Sequence, residues 1–253
     1  MSAIHTSFQW IVHRLLASVP EKAMEKQFPD WLYDALYAPV TTYSVDAAID
    51  YKLWLLDSNK KITVTDFGAG SRKMGEERSV ADIARYASSD MRELVFLGRL
   101  VYLRRPLRVL ELGTSLGVAA VAMAGAVPDA EITSVEGCPE THAFAEKHAL
   151  KYYSPYLKLV NADFDAYLSQ NNGPWDVIYI DGNHRQKASL DLVSVSLEKL
   201  RNGGIILLDD IHWSRGMSKA WRQITKQSGL LTVDLFRMGL IIPGHEGHLR
   251  CRI

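Results

Sequence analysis

From residue 108 onward the chain alternates short apolar runs with helix-length segments, a pattern that few architectures accommodate. RVLEL (108–112), EITSVE (131–136), LKLVN (157–161), DVIYID (176–181) and IILLDD (205–210) have the length and composition of strands. Between them lie GVAAVAMAGA, a segment of small residues, and PETHAFAEKHALKYY, with Pro139 near its first turn. A third helix carries Leu190, Val193, Leu197 and Leu200 on one stripe and is expected to end at Gly203 and Gly204. SKAWRQITKQ is a fourth helix, and LTVDLF and GLIIP are closing strands joined by so little chain that they must form a hairpin. Strands alternating with helices require a mostly parallel sheet covered on both faces. The expected fold is therefore α/β, a Rossmann-like, mostly parallel sheet ending in a C-terminal antiparallel hairpin.

The first part of the chain differs. Residues 1 to about 60 have helical patterning broken near Pro20, Pro29 and Pro39. Phe8, Ile11, Val12, Leu15, Leu16 and Val19 recur at helical spacing, as on an amphipathic helix rather than a signal peptide. KITVTDF is a short strand, and Ser79 with Asp82 and Asp90 with Glu93 have the spacing of capping boxes. The expected division is a mainly helical appendage at 1–89 and an α/β domain at 90–253. Lys plus Arg equals Asp plus Glu at 29 each, which removes the usual electrostatic footprint of a nucleic-acid binder. The two cysteines, Cys138 and Cys251, form no CxxC pair, so a cytoplasmic location is expected. No apolar run reaches membrane-spanning length.

In sheets of this kind ligands bind at the carboxyl ends of the strands. LELGTSLGVAAVAMA sits at such an end: Gly113 and Gly117 permit a tight turn, and the following helix points its amide donors back at it. The G-x-x-x-G spacing is neither a dinucleotide fingerprint nor a P-loop, and Glu111 before it favours a cationic ligand group over a pyrophosphate. Glu136 ends the next strand, 23 residues after Gly113, where an acid can accept ribose hydroxyls. Asp163 follows the third strand and either meets an adenine amino group or is an ordinary loop aspartate. A second glycine turn, DFGAGS at 66–71, has no apolar helix behind it and no ribose acid after it. It is expected to be a connecting turn; the alternative is a lid in which Ser71, Arg72 and Lys73 meet an anionic substrate.

VLELGTSLG, SVEG, DVIYIDGNH and LRNGGIILLDD, in that order, resemble the motifs of class I S-adenosylmethionine-dependent methyltransferases over about residues 90–243. ELGTSLGVAAVAMA is most similar to the small-molecule O-methyltransferases of the catechol and caffeoyl-CoA type. The resemblance implies that Glu111, Gly113, Ser115, Gly117, Glu136 and Asp163 line an S-adenosylmethionine site, and that the substrate is a small molecule bearing a hydroxyl. The first 90 residues do not match that subgroup.

Asp181 ends one strand, and Asp209 and Asp210 end another. Three carboxylates at one rim repel unless one is protonated or a cation sits among them, and oxygen-only ligation suits Mg²⁺ or Ca²⁺. In the metal-dependent catechol-type enzymes two acids and an amide at such strand ends hold Mg²⁺; here Asp181 and Asp209 match the acids, and Asp210 replaces the amide. The other reading gives Asp181 to the cofactor's amino group and makes Asp209 and Asp210 turn caps. Methyl transfer to oxygen needs a base or a metal that acidifies the hydroxyl. His184, where the catechol-type enzymes place a lysine, and His212 are the expected bases, beside Asp181. Trp213 is either an aromatic wall for substrate or a packing plug. Rival readings are an N- or protein-directed methyltransferase, a non-catalytic cofactor-binding protein of the same fold, and a nicotinamide dehydrogenase, which the glycine spacing disfavours.

Overall fold

The computed structural model describes residues 29–37, 43–65, 76–152, 155–170 and 173–251. The amphipathic helix expected over residues 8–19 and the turn at 66–73 lie outside them. Along the chain run α1 (Asp30–Tyr37), α2 (Asp46–Leu56), β1 (Lys61–Val64), β2 (Glu76–Ser79), α3 (Val80–Tyr86), α4 (Met91–Arg104), β3 (Arg108–Leu112), α5 (Val118–Ala126), β4 (Glu131–Glu136), α6 (Pro139–His148), β5 (Leu157–Asn161), α7 (Phe164–Gln170), β6 (Trp175–Ile180), α8 (Gln186–Glu198), β7 (Leu200–Leu208), α9 (Arg215–Ile224), β8 (Leu230–Asp234), β9 (Gly239–Pro243) and β10 (Gly247–Arg250). The architecture is the Rossmann-like, mostly parallel α/β class with a closing antiparallel hairpin. The chain divides into two compact units, Pro39–Asn172 and Met1–Ala38 with Gly173–Ile253.

In the unit Pro39–Asn172, β3, β4 and β5 pair in parallel, and β1 pairs with β2 as a separate antiparallel ribbon. Every residue of α5 except Gly125 is buried, as expected for a helix that is apolar all round. A Cβ on Gly125 would lie 2.9 Å from the Ser44 carbonyl, so the chain ahead of α2 packs against this helix at a distance only glycine allows. Asp90 and Glu93 form a full capping box at α4, whereas Ser79 caps α3 through a single bond to the Asp82 N–H.

In the other unit, β6 pairs in parallel with β7, β9 pairs antiparallel with both β7 and β8, and β10 adds in parallel to β8. Two expectations need correction. Gly203 and Gly204 do not end a helix: α8 stops at Glu198, and both glycines lie within β7, where the register against β6 shifts between Trp175 and Val177. Gly203 takes a left-handed φ of 79°, so the pair serves an irregular strand rather than a helix stop. The buried face of α8 is Ser189, Leu192, Val193 and Ser196, so of the anticipated stripe Val193 is buried while Leu190, Leu197 and Leu200 are only partly so. The strand β10 also went unread, because GHLR has neither the length nor the apolar character that marks a strand. Among the described residues no helix is long and apolar enough to cross a membrane.

Candidate active site

The glycine turn is built by β3, β4 and α5. Glu111 and Ser134 are register partners on neighbouring strands, and the Ser134 hydroxyl donates to Glu111 Oε2. Thr114 Oγ1 lies 2.6 Å from Ser134 Oγ, extending the network into the turn. The N–H groups of Gly113 and Thr114 both bond the Val135 carbonyl, at 2.9 and 3.2 Å. Gly113, Ser115 and Gly117 have φ of 115°, 49° and 85°, so the turn runs largely through left-handed backbone. A Cβ on Gly117 would come 2.8 Å from the Ala149 methyl.

Glu136 clamps this turn. Its Oε2 accepts the Ser115 N–H at 2.8 Å, and its Oε1 accepts the Cys138 N–H at 2.9 Å. Burial raises its pKa, opposed by the backbone N–H groups of Cys138, Ser115 and Gly137. Glu111 is completely buried, and its Oε1 has no hydrogen-bond partner. Burial pushes its carboxyl up to about 8; the Ser134 hydroxyl opposes the shift and the nearby Glu136 charge adds to it. An unpaired buried carboxyl oxygen is costly unless a donor arrives. A ligand carrying an ammonium group would supply one, so the residues present fit the amino-acid end of S-adenosylmethionine. Asp163 Oδ1 accepts the N–H groups of Asp165 and Ala166 at the start of α7, at 2.9 and 3.2 Å, so the aspartate caps that helix.

Sequence reasoning missed the support beneath the turn. Tyr51 of α2 is fully buried and donates its hydroxyl to the Leu116 carbonyl at 2.8 Å. Burial, reinforced by Tyr152, raises its pKa far above the ordinary phenol value, so it stays a donor. Ser134 was legible in principle, since it lies two residues before Glu136 on the same face of β4.

The acidic rim belongs to the unit that contains β6 and β7. His184 Nε2 lies 3.9 Å from Asp181 Oδ1 and 3.8 Å from Asp210 Oδ2, which is ion-pair range. The buried Tyr179 donates its hydroxyl to Asp209 Oδ2 at 3.0 Å and lies 3.4 Å from Asp181 Oδ2. Asp209 Oδ1 accepts the Asp210 N–H at 2.8 Å. Asp209 is 2% exposed, and burial raises its pKa, with Asp210 adding to the effect and Arg237 opposing it. Arg237 Nε lies 3.4 Å from Asp210 Oδ1. Asn183, at a left-handed φ of 53°, turns the chain toward His184, and its buried Oδ1 has no hydrogen-bond partner.

Asp181, His184, Asp209 and Asp210 are thus brought together. His212 is engaged elsewhere: Nε2 meets Asp234 Oδ2 at 2.9 Å, Nδ1 meets Ser218 Oγ at 3.3 Å, and the ring is buried. Trp213 is 51% exposed, too open for a packing plug. For a divalent cation the donors are poorly suited. Both oxygens of Asp209 already accept hydrogen bonds, burial favours its neutral form, and an arginine occupies Asp210. Among the described residues no three His, Cys, Asp or Glu side chains are grouped to hold a metal ion.

Residues 110–211 match a family model described as a methyltransferase domain. A 114-residue stretch is 35% identical to the O-methyltransferase ankF of Aspergillus thermomutatus and covers 42% of this chain and 46% of that protein. The chain therefore spans about half the length of that curated relative. The S-adenosylhomocysteine-bound methyltransferase PaMTH1 of Podospora anserina superposes with a TM-score of 0.62 at 20% identity, covering 78% of this chain and 87% of that one. A putative caffeoyl-CoA O-methyltransferase from Staphylococcus aureus gives a TM-score of 0.58 at 17% identity, covering 65% and 88%. At these identities the two structures speak for the fold.

Proposed function

We propose that this chain, whose residues 110–211 match a family model described as a methyltransferase domain, transfers a methyl group from S-adenosylmethionine to a hydroxyl of a small molecule. The observation that carries the reading is the buried, unpartnered Oε1 of Glu111 beside a left-handed glycine turn, a seat suited to an amino-acid ammonium. Glu136, which holds Ser115 and Cys138, is assigned the ribose, and the Asp163 oxygen not used in capping is assigned the adenine amino group. Gly113 and Gly117 let the backbone approach the ligand.

S-adenosylmethionine supplies, when bound, an electrophilic methyl carbon on a sulfonium. His184 is assigned the general base that would take the proton of the acceptor hydroxyl. Asp181 and Asp210, 3.9 and 3.8 Å from its Nε2, would stabilise the imidazolium electrostatically once the ring is protonated. Asn183 Oδ1 is an open acceptor for a second hydroxyl of the substrate. His212, with both ring nitrogens engaged, is assigned to holding Asp234 rather than to proton transfer. The two buried cysteines, Cys138 and Cys251, suit a reducing cytoplasm.

Incubation with methyl-labelled S-adenosylmethionine and a panel of catechols, other phenols and alcohols should label a hydroxyl. Label on an amine or a protein would replace this reading with an N- or protein-directed one. Binding without label on any acceptor would leave a non-catalytic protein.

A further inference from the structure

The acidic rim carries a cation of its own. We propose that Arg237 supplies the positive charge that a divalent metal supplies in the catechol-type enzymes, so that this rim works without a metal. Arg237 lies between β8 and β9, and its place is fixed through the main chain as well as the side chain. Its carbonyl accepts the Ile211 N–H at 3.0 Å, one residue beyond Asp210. Leu235 N–H bonds the Met238 carbonyl at 2.9 Å, and Phe236 takes a left-handed φ of 72° to close the turn. Asp234 Oδ1 accepts the Phe236 N–H at 2.9 Å, while its Oδ2 is held by His212. The guanidinium is therefore delivered to Asp210 by a braced turn rather than by a loose surface arm.

The acids are arranged to match. Asp210 divides its oxygens between Arg237, at 3.4 Å from Oδ1, and His184, at 3.8 Å from Oδ2. Asp209 gives one oxygen to Tyr179 and the other to the Asp210 N–H. A cation such as Mg²⁺ would have to displace these partners and then accept a guanidinium as a close neighbour, and like charges at that range repel. Arg237 is thus a positioning residue: it fixes the Asp210 carboxylate against which His184 is set.

The inference rests on the methyltransferase reading for its catalytic meaning, but its test does not need turnover. The chain is stripped with a chelator, then titrated with MgCl₂ while its melting temperature is followed, and S-adenosylhomocysteine binding is measured on the same samples. The wild type should show no Mg²⁺-dependent shift. Arg237→Gln, which removes the guanidinium from Asp210, should gain a Mg²⁺-dependent rise of about 2–4 °C at saturating cation. Arg237→Lys, which keeps the charge, should behave as the wild type. A wild type that Mg²⁺ stabilises overturns the proposal whether or not the variants fold. A folded Arg237→Gln that ignores Mg²⁺ overturns it as well. S-adenosylhomocysteine binding that is lost on stripping and restored by Mg²⁺ overturns the proposal as well, whereas absence of binding both before and after stripping counts against the cofactor seat and leaves the melting curves to decide the charge argument.

Discussion

The hydroxyl of Tyr51 donates to the carbonyl of Leu116 over 2.8 Å, tying helix α2 to the turn between β3 and α5. The bond is buried, and the two residues are 65 apart in sequence. A segment with no motif of its own thus steadies the backbone that is assigned to the ligand. Tyr51→Phe leaves the carbonyl unpaired in a dry site, which should cost about 1–3 kcal/mol of stability. S-adenosylhomocysteine affinity should fall with it. Urea unfolding and calorimetry read the two effects separately; unchanged affinity would deny the helix this role.

Glu111 makes stability depend on pH in a stated direction. Its carboxyl is raised from 4.5 to about 8 in the fold, so the folded chain keeps its proton after the unfolded chain has lost it. The stabilising contribution is complete below pH 4.5 and disappears as pH rises through 8. Glu111→Gln cannot titrate, so the variant should gain stability relative to the wild type as pH increases across that window. Melting curves at several pH values check this, and a gap independent of pH would contradict it. A cationic ligand group at Oε1 favours the ionised form, so S-adenosylhomocysteine binding near neutral pH should release a proton from the wild type but not from Glu111→Gln. Calorimetry in buffers of different ionisation enthalpy measures that release.

His184 and His212 should separate experimentally. His184→Ala should lower kcat by about a hundredfold or more with cofactor affinity nearly unchanged. His212→Ala removes a hydrogen-bond partner from the buried Asp234 and should cost about 1–3 kcal/mol of stability. A His212 variant that is stable but inactive would reverse the two assignments.

Gly239 lies against the indole of Trp221, and an added Cβ would come within 2.5 Å of it. Gly239→Ala should therefore destabilise by about 1–3 kcal/mol through overpacking, measurable by denaturant unfolding.

The strands β3, β4, β5 and β9 were legible to the residue, because each is a short run rich in β-branched or aliphatic residues set between helix-length segments or turns. The glycine turn was legible for the same reason: its chemistry lies within consecutive residues. Tyr51 was not, since its partner is a main-chain carbonyl that only folding brings near. Arg237 was invisible because it reaches Asp210 through the pairing of β9 with β7, not through any sequence spacing. Gly203 and Gly204 misled because glycine after a helical stripe usually stops a helix, whereas here β7 had already begun at Leu200. His212 stands beside the rim in sequence, yet its bonds run to α9 and β8.

The central claim is that the turn braced by Glu136 is a seat for S-adenosylmethionine. The most direct test is calorimetric titration of the wild type and Glu136→Ala with S-adenosylhomocysteine. The account predicts saturable binding by the wild type and binding weaker by about 1–3 kcal/mol in the variant, from the lost charged hydrogen bonds. No binding by the wild type, or equal binding by a folded Glu136→Ala, would contradict it.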